Sequence, residues 1–265
     1  MPELPEVETV RQGLLPHVKK RVIKKVTLNR DSLRAPLPKD LKKKMEGKTI
    51  DTIDRHGKTL LWRLKGGPDL AWHLGMSGSF RVSTDDKPEH GKHDHIIMDM
   101  DDGTEIAFND PRRFGSLGYA KDLPGIDPMT KDFSAAAFTA MLENRKGPIK
   151  VLLMDQRLIS GIGNIYASEA LWSSKINPER PAGEVTKAEA KKLHAAIIDV
   201  LTLAIASGGS SLRNHMNVDG KLGYFQHHFK VYGRTGKPCP RCKTTIKLLR
   251  QAGRATFFCP QCQAK

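Results

Sequence analysis

Residues 236–262 read GKPCPRCKTTIKLLRQAGRATFFCPQC, and this stretch decides the architecture of the C-terminal part of the chain. Two Cys-x-x-Cys pairs, Cys239/Cys242 and Cys259/Cys262, enclose 16 residues. Each pair offers two thiolates from a tight turn, which suits one tetrahedral zinc ion held by four cysteines. With every position taken by a thiolate, the metal has no place for a substrate and is structural. Between the pairs, Thr244 to Leu249 and Arg254 to Phe258 flank Ala252-Gly253, the pattern of a β-hairpin. Two disulfides or a redox Cys-x-x-Cys are the alternatives. The first needs an oxidising compartment and the second a βαβ setting, which the pattern here does not resemble.

The C-terminal part of the chain carries most of the net charge. The chain has 44 Lys plus Arg against 29 Asp plus Glu, a formal charge of +15. Its last acidic residue is Asp219, and residues 220–265 hold ten Lys or Arg together with all four cysteines and six aromatics. A basic segment of that composition reads as folded rather than as a solvated tail. It invites a polyanionic partner, because Lys and Arg on phosphates release condensed counterions. The 265 residues allow one large domain or two ordinary ones, and 38% hydrophobic with 28% charged residues describes a folded chain. No run of about 18 apolar residues points to a membrane span. The acidic start, Met1 to Glu8, lacks a basic segment followed by an apolar one, so a cytoplasmic location is expected.

Working towards the N-terminus, residues 187–206 form the clearest helix. Thr186 and Glu189 make a capping box, Leu193, Ile197, Val200 and Ala204 share a face, and Gly208-Gly209 ends it. Ser134 to Leu142, Ile149 to Met154 and Tyr166 to Trp172 read as shorter helices. Leu123 to Pro128 breaks the pattern and reads as a linker. From about residue 20 to 120 the period is that of strands, at 22–26, 59–64, 69–74, 79–82, 95–98 and 105–108, which favours a β-sandwich or flattened barrel. Residues 5–15 open the chain as a helix, with Pro5 in its first turn and Val7, Val10 and Leu14 on one face.

Several motifs carry chemistry. If Met1 is removed, Pro2 presents a secondary amine able to form an iminium with a sugar C1′, and Glu3 beside it can serve as proton donor. Taken alone, Pro2, Glu3 and Pro5 equally suit the plain start of a helix. His73 to Ser79 sets Met76 on a glycine-flanked turn, and Asn109 to Gly115 sets Arg112, Arg113 and Phe114 on another. Such residues can be core, or can enter a base stack and fill a vacated position. Ser160 to Glu169 places a glycine-rich turn before a helix, which suits either a phosphate or an ordinary helix connection.

Together these motifs resemble one family, the bacterial formamidopyrimidine-DNA glycosylases. The residues that carry the resemblance are Pro2 to Thr9, Gly57-Lys58, His73 to Ser79, Lys92 to His95, Asp110 to Gly115, Asp155-Gln156 through Glu169, Gly208 to Leu212, Val231 to Arg234, and the zinc hairpin with Gly253 to Cys259. Leu4 separates the chain from the related endonuclease VIII branch, which has glycine there. The stretch Leu123 to Phe133 is shorter than the family's hinge, and His56 stands where arginine is more usual.

The resemblance implies an α+β multidomain protein: an N-terminal β-sandwich with a leading helix (1–122), a hinge (123–133), a helix–two-turn–helix domain (134–225) and a C-terminal β-hairpin zinc finger (226–265). It implies a bifunctional glycosylase/AP lyase of base-excision repair that excises oxidised purines such as 8-oxoguanine and formamidopyrimidines. By position Pro2 is the Schiff-base nucleophile, Glu3 its acid/base partner, and Lys58 a phosphate contact that assists β-elimination. Met76, Arg112 and Phe114 match residues that fill the hole left by the extruded base. His93, Arg145, Lys150, Asn164 and Arg254 match phosphate contacts, with Arg254 also assisting δ-elimination. Cys239, Cys242, Cys259 and Cys262 hold one structural zinc ion, and the loop from about Met216 to Tyr224 closes over the flipped lesion. The partner implied is double-stranded DNA with oxidised bases or abasic sites, met by a monomer at the bacterial nucleoid. The near rival is the same chemistry on oxidised pyrimidines. The rival of another class is a non-catalytic zinc-containing nucleic-acid-binding protein, which has no need of a nucleophilic terminal amine.

Overall fold

Glu3 caps the first helix, α1 (Leu4–Val18), and the Glu6 side chain reaches back to accept the Glu3 backbone N–H at 2.8 Å. A computed structural model describes residues 1–84, 89–210 and 223–264. The helix outlasts the expected 5–15 because Val18, fully buried, continues the stripe of Val7, Val10 and Leu14. The chain divides into two compact units, Met1–Leu123 with Ser207–Tyr224, and Pro124–Ala206 with Phe225–Lys265.

In the first unit α1 is followed by β1 (Ile23–Leu28), a short α2 (Leu41–Met45), β2 (Thr49–His56), β3 (Thr59–Lys65), β4 (Leu70–His73), β5 (Ser79–Ser83), β6 (Asp94–Met100), β7 (Glu105–Asn109) and β8 (Ser116–Tyr119). The strands make two four-stranded antiparallel sheets, ordered β1-β6-β7-β5 and β2-β3-β4-β8. Trp62 and Trp72 from one sheet meet Phe80 and Phe108 from the other, with ring centroids 5.0–5.8 Å apart. This aromatic layer joins the sheets into the β-sandwich. β2, β8 and α2 had no legible period. A register shift between Ile50 and Thr52 breaks the alternation of β2, and the other two are too short to show one.

The second unit holds α3 (Ala135–Leu142), α4 (Ile149–Leu153), α5 (Asn164–Ser173), α6 (Lys187–Ala206) and the hairpin β9 (Lys247–Gln251) and β10 (Arg254–Phe258). The α6 capping box is present: Thr186 N–H donates to Glu189 at 2.9 Å and Glu189 N–H to the Thr186 hydroxyl at 3.3 Å. Leu201 rather than Val200 completes the buried stripe with Leu193, Ile197 and Ala204. β9 starts at Lys247, not Thr244, because Thr244 and Ile246 pair with the cysteine knuckle: Cys239 N–H donates to the Thr244 carbonyl and Ile246 N–H to the Lys237 carbonyl, both at 2.9 Å. Ala252 and Gly253, with φ of 47° and 75°, form the two-residue turn. Residues 124–133 are tied to this unit, since Ile126 exchanges backbone bonds of 2.9 Å with Leu158 and Ser160. Among the described residues no helix is long and apolar enough to cross a membrane. Of the loop from about Met216 to Tyr224, only Gly223 and Tyr224 lie within the described residues.

Candidate active site and metal centre

Pro2 and Glu3 are both buried at the head of α1, whereas Met1 is 54% exposed. Glu6 fixes this end of the helix. One carboxylate oxygen accepts the Glu3 N–H, and the other accepts the backbone N–H and hydroxyl of Ser210 at 2.8 and 2.9 Å. Gly209, at φ 74°, lies so close that a Cβ there would stand 3.1 Å from the Glu6 carboxylate. Glu6 belongs to the N-terminal motif, but its partner Ser210 gave no sign of the pairing.

Lys58 sits on the tight turn between β2 and β3, and is 6% exposed. The turn is held from α1. Glu8 accepts from Arg11, Gln12 and Arg55, and Arg55 in turn donates to the Gly57 carbonyl at 3.1 Å. Burial pushes the Glu8 carboxyl up, but the hydrogen bonds of Arg11, Gln12 and Arg55 outweigh it and leave the group below its ordinary range. His73, at the end of β4, is lowered by burial and then by the positive charges of Lys58 and Arg34. It therefore accepts the Gly75 N–H through Nδ1 at 3.0 Å as a neutral ring.

The two loops carrying the proposed intercalating residues are clamped together by Asp110, which is fully buried. Its carboxylate accepts from the Ser77 hydroxyl at 2.5 Å and from Gly115 N–H at 2.7 Å, and Ser77 also receives Arg112 N–H at 3.1 Å. Gly75 takes φ 64°, and a Cβ there would lie 2.2 Å from the Phe114 backbone, so only glycine permits this approach. The result is that Met76 and Phe114, each 43% exposed, stand on the surface with the Arg112 guanidinium 4.9 Å from the Phe114 ring centre. Large apolar groups presented in this way are not core. The same clamp reaches β6: the His93 carbonyl accepts Asp110 N–H at 3.0 Å, and His95 Nε2 donates to the Asp110 carbonyl at 2.9 Å.

In the second unit Lys150, Asn164 and β10 form one network. The Lys150 ammonium, buried, donates to Asn164 Oδ1 at 2.5 Å, the Thr256 hydroxyl at 2.8 Å and the Ala255 carbonyl at 3.1 Å. Asn164 Nδ2 donates to the same carbonyl at 2.9 Å. Arg254 is exposed next to this network, and Arg145 and Arg254 line a groove of about 430 Å³ with Met154, Asp155 and Gln251. The structure thus gathers four of the proposed phosphate contacts, Arg145, Lys150, Asn164 and Arg254, in one unit. Glu169, in the middle of α5, is buried and accepts three successive backbone N–H groups from Lys230, Val231 and Tyr232 at 2.8–3.0 Å. Burial raises its pKa, against the effect of those three donors.

The four cysteine Sγ atoms lie within 4.8 Å of one another. Tetrahedral zinc with Zn–S bonds near 2.3 Å needs sulfurs about 3.8 Å apart, so the cluster fits the ion. Gln263 docks the cluster, accepting Cys259 N–H at 2.9 Å and donating to the Ile176 carbonyl at 2.9 Å.

Family models match three consecutive stretches: the formamidopyrimidine-DNA glycosylase N-terminal domain over residues 1–117, the formamidopyrimidine-DNA glycosylase H2TH domain over 124–216, and the zinc finger found in FPG and IleRS over 236–265. The last of these makes the cysteine cluster a zinc finger. Relatives named formamidopyrimidine-DNA glycosylase include one from Rhodospirillum rubrum, 46% identical over 98% of each chain, and one from Ruegeria pomeroyi, 43% identical over 99% of this chain and 100% of its own. Similar solved structures include the MutM (Fpg) protein of Thermus thermophilus, at TM-score 0.88 and 39% identity over 100% of this chain and 99% of that one. A Lactococcus lactis Fpg mutant in complex with Fapy-dG-containing DNA matches at TM-score 0.90 and 37% identity over 100% of both chains. With the β-sandwich, the helical unit and the four-cysteine hairpin in this order, and with these matches along its length, the chain belongs to the formamidopyrimidine-DNA glycosylase family.

Proposed function

We propose that the protein excises oxidised purines from DNA as a bifunctional glycosylase and AP lyase, with Pro2 as nucleophile. The observation that carries this reading is the constrained N-terminus, in which Pro2 and Glu3 are buried at a helix start that Glu6 pins. Removal of the exposed Met1 uncovers the Pro2 nitrogen.

A duplex hides its glycosidic bonds, so the damaged nucleotide must leave the stack, at a cost of a few kcal/mol. Met76, Arg112 and Phe114 fill the space left and offset that cost. The Pro2 nitrogen attacks C1′ as the C1′–N bond to the base breaks, and the base leaves with a proton. The Pro2 nitrogen then gives up its own proton, the C1′–O4′ bond breaks with O4′ taking a proton, and the opened sugar is held as an iminium. Glu3 exchanges protons with the sugar during this step. The iminium acidifies the C2′ proton, whose loss expels the 3′ phosphate. Loss of a further proton then expels the 5′ phosphate. Lys58 assists the first elimination and Arg254 the second. His93, Arg112, Arg145, Lys150, Asn164 and Arg254 hold phosphates, with Lys150 acting through Asn164. The zinc ion supplies folding energy to the hairpin and takes no part in the reaction. In this proposal the segments are a catalytic β-sandwich (1–122), a hinge (123–133), a helix–two-turn–helix part (134–225) and a zinc finger (226–265), with phosphate contacts on the first, third and fourth; Ser207–Tyr224 group with the first compact unit. The enzyme works as a monomer on its asymmetric substrate, at the nucleoid.

A solved Lactococcus lactis Fpg complex contains an oxidised pyrimidine, which favours a second substrate class beside the purines. Borohydride trapping tests both readings on duplexes with 8-oxoguanine or an oxidised pyrimidine opposite its partner. A covalent adduct that maps to Pro2, and is absent from Pro2→Gly or Met1-retaining protein, is the expected result. No adduct from protein that lacks Met1 would end the enzymatic reading and leave a DNA-binding protein.

A further inference from the structure

Trp172, near the end of α5, directs its indole N–H at Cys239 Sγ, 3.4 Å away. Its pose is fixed from the other side by Arg241, which lies inside the first Cys-x-x-Cys loop. The Arg241 guanidinium stacks 4.2 Å from the indole centre and donates to the Trp172 and Ser173 carbonyls at 3.2 and 3.4 Å. The Trp172 carbonyl also accepts the Lys175 N–H at 3.2 Å, so Arg241 adds a second donor at the end of α5. We propose that Trp172 is a positioning residue of the zinc centre, its N–H holding the Cys239 thiolate and slowing loss of the metal, with Arg241 locking the indole in place.

Four thiolates around Zn²⁺ leave a net charge of −2 on the centre, and Cys239 and Cys259 are fully buried. A buried excess of negative charge calls for donors aimed at sulfur. Cys259 receives one from the Cys262 backbone N–H at 3.4 Å, and Cys239 receives the Trp172 indole. Indole is a donor without an acceptor, so it can lie against a thiolate without competing for the metal. The other two tryptophans show the contrast. Trp62 and Trp72 bury their indole nitrogens without a hydrogen-bond partner among the described residues, and serve the sandwich as packing alone. At Trp172 the ring is half-buried and its nitrogen is committed to a metal ligand. Arg241 adds positive charge beside the same thiolates. Groups that orient metal ligands in this way are worth about 10–100-fold in metal affinity.

The test uses the zinc-loaded full-length protein and Trp172→Phe, which keeps an aromatic ring but lacks the N–H. Zinc transfer to the chelator 4-(2-pyridylazo)resorcinol is expected to be about tenfold faster in the variant. In the cobalt-substituted proteins the sulfur-to-cobalt charge-transfer bands are expected to move to lower energy, because a thiolate without its hydrogen bond is a better electron donor. A purely packing role for Trp172 leaves those bands in place. Arg241→Gln keeps the indole but frees it, and is expected to release zinc at an intermediate rate. This second variant decides the matter if Trp172→Phe does not fold. Zinc release at the parental rate, or faster release with unmoved cobalt bands, overturns the proposal.

Discussion

Glu6 and Ser210, 204 residues apart in the chain, are joined by two hydrogen bonds of 2.8 and 2.9 Å to one carboxylate oxygen, while the other oxygen takes the Glu3 N–H. One buried carboxylate thus ties the start of α1, with Pro2 and Glu3, to the segment that follows α6.

Glu6→Ala leaves the Glu3 and Ser210 N–H groups buried without this acceptor. Each such donor costs about 1–3 kcal/mol, so urea unfolding should show a loss of roughly 2–6 kcal/mol. Borohydride trapping at Pro2 should slow in the same variant. Ser210→Ala removes the hydroxyl bond alone and should cost about 1 kcal/mol. Unfolding of Glu6→Ala at the parental midpoint would show that this link carries no weight.

Asp110→Ala frees both loops from their clamp. The loss of its bonds to Ser77 and Gly115 should cost about 1–3 kcal/mol, and excision of the damaged base should slow because Met76, Arg112 and Phe114 lose their fixed presentation. Affinity for undamaged duplex, read by filter binding, should barely fall, since the basic side chains remain. An equal fall in both measurements counts against the assigned role.

Arg254→Ala removes an exposed cation beside the Lys150–Asn164 network. If Arg254 contacts a phosphate, the slope of log affinity against log salt should shrink by about one, uniformly across sequences. An unchanged slope takes Arg254 off the phosphate backbone.

The start of α6 gives a pH signature. Arg180, 2.7 Å from Glu189, and then Thr186 outweigh burial and bring the Glu189 carboxyl from 4.5 to about 2. A carboxyl depressed by folding stabilises fully above its unfolded value and loses that contribution as pH falls through the folded one. The stability difference between the parent and Glu189→Gln should therefore be constant above about pH 5 and shrink towards pH 2. The pair is partly exposed, so after solvent screening the difference is at most about 1 kcal/mol.

Cys259→Ser should lose zinc, measured by metal analysis, and lower DNA affinity, because the metal's binding energy is the folding energy of the hairpin. Unchanged affinity in the metal-free variant separates the hairpin from DNA binding.

What could be read in advance were features that repeat or lie close in the chain. The stripe Val7-Val10-Leu14, the Thr186/Glu189 box, the hairpin around Ala252-Gly253 and the cysteine pairs are local, and each appears in the structure at the expected place. β2 is not legible because its bulge interrupts alternation, and Leu201 faces the core in place of Val200 on a turn of α6 where several apolar residues lie together.

By itself, the sequence determined the succession of β, helical and zinc-hairpin parts, the basic C-terminus and the four cysteines of the zinc finger, since periodicity, capping and ligand spacing act over a few residues. The tertiary structure alone decided which of these residues are held and by what. Glu6 with Ser210, Asp110 with Ser77, Lys150 with Ala255 and Trp172 with Cys239 are pairs separated by 33 to 204 positions. No local pattern encodes such a pair, because it forms only where packing buries two polar groups together and leaves each the other's best partner.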